Sequence, residues 1–199
     1  MKITINDKEV EAFDGETLIE TAGRTGFEIP SLCYAKGYKH KSSCMVCVVR
    51  NCDTGAFIPS CTTLPEQGMK IDTESEEVIT LRRRSLELLM SDHIAKCVSP
   101  CNPKQCRLMQ TAAKYKAKFN TYPRYSALKE TKPQHIRENM WFDVAKCIRC
   151  GLCVYNSDNG FTFKDRGFGM QVFLPEENRV NIPEELVDLC PTGALYKLT

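Results

Sequence analysis

Twelve residues of this chain, eleven of its twelve cysteines and one histidine, fall into three groups of four. The first is Cys33, Cys44, Cys47 and Cys61; the second is His93, Cys97, Cys101 and Cys106; the third is Cys147, Cys150, Cys153 and Cys190. Thiolate and imidazole are donors suited to iron and zinc, and four protein ligands is what one iron–sulfur cluster takes. Three such centres on 199 residues leave little room for a substrate pocket. The chemistry open to these residues is therefore the holding and passing of electrons.

The third group has the tightest spacing. In Cys147-Ile148-Arg149-Cys150-Gly151-Leu152-Cys153 one loop can present three thiolates to three irons of a cube, while its N–H groups hydrogen-bond the cluster sulfurs. A two-cluster ferredoxin adds a fourth cysteine after a three-residue gap for its other cluster. Ser157 stands there, so the fourth ligand is expected from Cys190, where Pro191 turns the chain away. This spacing points to a 4Fe–4S cluster; four thiolates would also hold zinc.

The first group, with gaps of ten, two and thirteen residues, has the order of the plant-type 2Fe–2S pattern but a longer first gap. In the second, His93 stands four residues before Cys97, which can place both on one side of a helical turn. A 4Fe–4S cluster held by His93, Cys97, Cys101 and Cys106 is the expectation. The plainer alternative is a cluster on three cysteines, with His93 closing a helix. Cys52 is left over and reads as a free thiol at a strand end, and His40 and His135 as solvent-facing.

These donors need elements to place them. Residues 1–75 read as a small β-rich domain: a hairpin from 2–5 and 8–12 turning at Asn6-Asp7, a helix over 17–23, then strands over 45–50, 56–60 and 68–72. A ligand set placed after hairpin and helix and before strands suits a ferredoxin-like β-grasp domain. A helix over 76–91 follows, with Val78, Leu81, Leu86 and Leu89 roughly on one face. Arg82, Arg83 and Arg84 are expected on its solvated side or as a docking patch. Residues 107–140 are rich in lysine and arginine. They read as a connector with a wet basic face, or as a surface for an acidic partner subunit, with a helix possible over 108–118. Residues 141–199 form a third unit. The expected class is α+β: an N-terminal 2Fe–2S β-grasp domain (1–75), a helical segment with the histidine-containing 4Fe–4S site and the connector (76–140), and a small C-terminal 4Fe–4S domain (141–199).

Composition narrows the function classes. A net charge of +2 without one long basic run gives no stripe for nucleic acid. No apolar run approaches the ~20 residues of a membrane span. The first residues lack the apolar core of a secretory signal, so a cytoplasmic protein with reduced thiols is expected. No G-x-G-x-x-G opening a helix and no phosphate-binding lysine loop is present, so flavin and nucleotide chemistry would belong to another chain.

With these motifs in hand, the chain resembles the N-terminal iron–sulfur region of the large subunit of respiratory complex I. It is similar also to the small diaphorase subunit of NAD-reducing hydrogenases and to the N-terminal regions of iron-only hydrogenases and formate dehydrogenases. Ser60-Cys61-Thr62-Thr63, Glu66-Gln67-Gly68-Met69, Cys106-Arg107-Leu108-Met109-Gln110 and Cys190-Pro191-Thr192-Gly193-Ala194-Leu195 carry the resemblance beside the ligand sets. It departs in the histidine set, where Cys101 stands one position later than usual, and at Ser42, where a glycine is usual. The resemblance implies one 2Fe–2S and two 4Fe–4S clusters. It implies electron relay between a flavin-bearing NAD(P)H-oxidising subunit and a terminal oxidoreductase subunit. A free-standing multi-cluster ferredoxin and a zinc-stabilised interaction module are the competing readings.

Overall fold

The computed structural model describes residues 1–91, 93, 106–119, 121–122 and 132–198, with Phe168, Val180 and Asn181 described by their backbone alone. The chain begins with the hairpin of β1 (Lys2–Ile5) and β2 (Lys8–Glu11). Asn6 and Asp7 both take positive φ, 47° and 64°, as a two-residue turn matched to strand twist requires. Ile3 and Ile5 face inward at 1% and 0% exposure, with polar neighbours outward, the period-two pattern of a half-buried strand. The helix α1 (Leu18–Arg24) follows, where the Thr17 N–H donates to the Glu20 carboxylate at 2.9 Å. Then come β3 (Val48–Asn51), β4 (Phe57–Pro59) and β5 (Lys70–Asp72). The five strands lie in the order β2-β1-β5-β3-β4, with β1 and β5 parallel. Leu18 and Ala22 of α1 bury against Ile3, Ile5, Val49 and Ile71. The strand expected from residue 45 starts only at Val48: Met45, at φ 53°, belongs to a tight turn between Cys44 and Cys47.

The helix α2 (Glu76–Ser91) has the expected span. Its buried stripe is Val78, Arg82, Leu86, Glu87 and Met90, so the inward face is rotated from the expected one. Arg82 is a correction: it is 2% exposed, not solvated. Its Nε and Nη2 donate to the Val48 carbonyl at 3.1 and 2.8 Å, and Nη1 to the Thr73 carbonyl at 2.9 Å. Arg83 is half-buried and donates to the Tyr115 carbonyl, and only Arg84 is exposed. The helix α3 (Arg107–Lys114) begins at Cys106 and ends before Lys116 at φ 53°, short of the expected 118.

Beyond it lie β6 (Gln134–Arg137), β7 (Met140–Phe142), α4 (Leu152–Tyr155), β8 (Thr162–Lys164), β9 (Gln171–Phe173), α5 (Leu186–Leu189) and β10 (Leu195–Lys197). Strand β6, which sequence placed in the connector, pairs with β7, and β10 closes a three-stranded sheet in the order β10-β7-β6. The last unit therefore begins before Trp141. Only Ile136 in β6 is buried, so the strand carries too short an apolar signal to be read from its basic surroundings. The glycine- and aromatic-rich stretch forms the β8–β9 hairpin. Its Phe161 meets Phe142 at 5.2 Å between ring centroids, in a core with Val172, Leu174, Leu186 and Leu195.

A third apolar cluster joins these units. Leu32, Cys33, Cys44, Val46, Leu86, Met90, Cys106, Leu108 and Ile148 pack together, with Cys150 against them. It contains cysteines from all three ligand groups. No helix among the described residues is long and apolar enough to cross a membrane.

Candidate metal centres

In the first group, Cys33, Cys47 and Cys61 are fully buried and Cys44 is 5% exposed. The loop after α1 delivers Cys33, the turn at Met45 presents Cys44 and Cys47, and Cys61 follows β4. The four thiols meet: Cys33 hydrogen-bonds with Cys44 and Cys61, and Cys47 with Cys61. Cys33 is held below the ordinary thiol range by those two partners, while the hydrogen bond each makes to Cys33, with Cys47 adding its own to Cys61 and burial adding to both, pushes Cys44 and Cys61 up. N–H groups of Cys44, Val46 and Cys61 point at thiol sulfurs of the set, which favours the thiolate form that a metal requires. The backbone behind it is tied down, with Ser60 Oγ donating to the Cys47 carbonyl at 2.7 Å.

His40 is half-buried rather than solvent-facing. Its Nε2 lies 3.0 Å from the Cys61 carbonyl oxygen and its ring meets Tyr34 edge-on at 4.9 Å. His135 is exposed, as expected, with Nε2 2.8 Å from the Glu138 carbonyl oxygen. Cys52 is an exposed free thiol just beyond β3.

All four cysteines of the third group line one small cavity, closed by Phe142, Ile148, Leu152, Val172, Leu186 and Pro191. Arg149 at φ 56° and Gly151 at φ 81° turn the loop so that its amides face the sulfurs. The Arg149 N–H donates to Cys147 Sγ at 3.3 Å, and the Leu195 N–H to Cys190 Sγ at 3.4 Å. Burial, reinforced by neighbouring thiols, pushes Cys150 up to about 12 and raises Cys147 and Cys153 too. Apo thiols in such a cavity are costly to ionise, so a cationic iron centre is the natural counter-charge. Ser157 is accounted for structurally: its hydroxyl donates to the Cys153 carbonyl at 2.7 Å and accepts from the Phe161 N–H at 2.8 Å. Among the described residues no three histidine, cysteine, aspartate or glutamate side chains are grouped to hold a single metal ion.

Of the second group, Cys97 and Cys101 lie outside the described residues. Cys106 is 2% exposed and His93 5%. Neither ring nitrogen of His93 has a hydrogen-bond partner among the described residues. Burial holds the imidazole below its ordinary value, against the pull of Asp143 and with the push of Lys146. Its ring caps no described helix carbonyl. A buried neutral imidazole with free nitrogens costs stability unless something binds it, and it is the form in which histidine ligates metal. The described residues of the first and third groups fit iron–sulfur centres in donor type, burial and N–H provision.

The groups are also joined to one another. Ser43 Oγ donates to the Cys150 carbonyl at 3.2 Å, and a charge on Cys33 is felt at Cys150. The Leu108 N–H donates to the Pro191 carbonyl at 3.3 Å, and Arg107 Nη2 to the Leu189 carbonyl at 2.5 Å, linking Cys106 to Cys190.

Comparison with known proteins fits this arrangement. Residues 1–76 match the family of 2Fe-2S iron-sulfur cluster binding domains. The fold is mixed α and β with a 2Fe–2S ferredoxin-like domain at its start. Over 99% of its length the chain is 25% identical to the gamma chain of the NAD-reducing hydrogenase HoxS of Cupriavidus necator, covering 87% of that protein. It is 30% identical to the HndD chain of the NADP-reducing hydrogenase of Solidesulfovibrio fructosivorans and 26% identical to the G chain of the NADH-quinone oxidoreductase of Rickettsia bellii. The chain spans 36% and 29% of those two longer proteins. The crystal structure of an NAD+-reducing NiFe-hydrogenase in the H2-reduced state holds a chain that superposes with a TM-score of 0.85, at 24% identity, over 98% of this chain and 86% of that one. The resemblance to hydrogenase and complex I iron–sulfur subunits thus runs along the whole chain.

The residues that sequence reasoning missed are those that hold the ligand loops. Arg82 sat in a run of three arginines and read as surface, and Ser43 and Asn156 are ordinary polar residues whose partners lie 107 and 117 positions away.

Proposed function

We propose that this chain is the electron-transfer iron–sulfur subunit of a multisubunit NAD(P)H-linked oxidoreductase. It relays single electrons between a flavin-bearing, NAD(P)H-oxidising subunit and a terminal catalytic subunit. Cys33, Cys44, Cys47 and Cys61 hold one 2Fe–2S cluster; His93, Cys97, Cys101 and Cys106 hold a 4Fe–4S cluster; Cys147, Cys150, Cys153 and Cys190 hold another. Bound, these clusters supply one-electron chemistry at iron.

The observation that carries this reading is the shared apolar core in which Cys33, Cys44, Cys106 and Cys150 meet. Donor sets with separate structural jobs have no need of one water-excluding core, whereas centres that exchange electrons gain from adjacency. The chain's own part is to exclude water, aim N–H groups at sulfur and fix the ligands, the levers that set cluster potentials. Cys44, Met45, Cys147 and Arg149 line one open groove, where two of the sets approach the surface.

Spectroscopy of the anaerobically purified chain tests the assignment. NADH alone leaves it oxidised, because the chain carries no flavin; adding the flavin-bearing subunit of its own complex bleaches its visible absorption. Reduction by NADH without that subunit, or no reduction with it, contradicts the relay.

A further inference from the structure

The first ligand group contains a loop of ten residues, 34–43, between Cys33 and Cys44. Resting on the cluster assignments above, we propose that this loop is a strap that fixes the first and third centres relative to one another, and that Asn156 is its positioning residue.

The amide of Asn156 is fully used. Its Oδ1 accepts from the Lys39 N–H at 2.9 Å, and its Nδ2 donates to the Lys39 carbonyl at 2.8 Å. The second Nδ2 hydrogen goes to the Leu152 carbonyl at 2.8 Å, inside the Cys150–Cys153 motif. One side chain therefore pairs with the backbone of the first loop as a strand would and holds the third loop at the same time. Two further contacts repeat the connection: Ser43 Oγ to the Cys150 carbonyl at 3.2 Å, and Lys41 Nζ 5.3 Å from the Tyr155 ring centroid. On the other side His40 Nε2 lies 3.0 Å from the Cys61 carbonyl oxygen, so the strap is anchored on both units.

A ten-residue loop left free would pay closure entropy and move. Here it is pinned one residue from Cys44 and, through Cys150, at a ligand of the third set. Electron exchange falls steeply with separation, so a fixed spacing has functional consequence where a merely closed loop would not.

The test uses the full chain in two readouts. The first is hydrogen exchange at the Lys39 amide, which needs no cluster. In the native protein this amide is protected; in Asn156→Ala it exchanges at least roughly fivefold faster, the factor one net hydrogen bond contributes. Asn156→Asp, which keeps the acceptor and loses both donors, lies between. An unprotected Lys39 amide in the native protein, or protection unchanged in Asn156→Ala, overturns the strap.

The second readout is the magnetic dipolar coupling between the reduced first and third clusters, measured by pulsed electron paramagnetic resonance. Asn156→Ala broadens or weakens it at unchanged iron content. Faster exchange with unchanged coupling overturns the positioning role. A native chain lacking either cluster would refute the ligand assignment and leave the exchange result to decide the strap.

Discussion

Arg82 and Val48 are joined by two hydrogen bonds, from Nε at 3.1 Å and Nη2 at 2.8 Å, across 34 residues of sequence. Val48 follows Cys47, one of the proposed cluster ligands, so this buried guanidinium locks α2 onto the strand that leaves the first cysteine group. The Thr73 carbonyl takes a third bond at 2.9 Å, and no apolar side chain can replace the three.

Arg82→Met therefore leaves two buried carbonyls short of donors and costs about 2–4 kcal/mol. Arg84→Met, on the exposed side of the same helix, changes stability by less than about 0.5 kcal/mol. Thermal or denaturant unfolding of the two variants beside the native chain reads this directly. Equal effects would contradict the buried role of Arg82.

Gly151 stands at φ 81°, and an added Cβ would lie 2.5 Å from the Tyr155 ring. Gly151→Ala adds left-handed strain of about 1–2 kcal/mol to that clash, inside the loop between Cys150 and Cys153. The variant is expected to lose the third centre selectively, about four irons per chain, while the first centre keeps its spectrum. Full iron in the variant would show that the loop does not need its turned amides.

His93→Cys replaces a neutral donor with an anionic thiolate. The added negative charge stabilises oxidised iron, so the potential of the second centre falls, the reverse of the rise that histidine gives in Rieske centres. His93→Ala should lose that cluster. A redox titration in which no centre moves in either variant would remove His93 from the ligands.

Cys52 is an exposed free thiol and belongs to none of the proposed sets. Cys52→Ser is expected to retain all iron and all spectroscopic signals. Loss of iron would mean that the ligand sets are wrongly drawn.

Much of the fold is legible in the sequence, as is the gathering of the first and third cysteine groups. The hairpin at Asn6-Asp7, the span of α2 and the loop through Cys147, Cys150 and Cys153 are local matters of turn chemistry, periodicity and spacing. What escaped is tertiary. Arg82 is buried because two carbonyls distant in sequence need its hydrogens, and charge runs do not reveal that. Strand β6 has one buried side chain and exists through its pairing with β7. His40 is turned inward by the Cys61 carbonyl and the Tyr34 ring. The clamp at Asn156 depends on two loops that only the folded chain brings together.

The most direct test of the central claim is iron and acid-labile sulfide per chain, purified without oxygen. The account predicts about ten of each, from one 2Fe–2S and two 4Fe–4S clusters. A colourless chain holding zinc and no sulfide would contradict it outright, and a content short by about four would show one of the two 4Fe–4S ligand sets to be wrong.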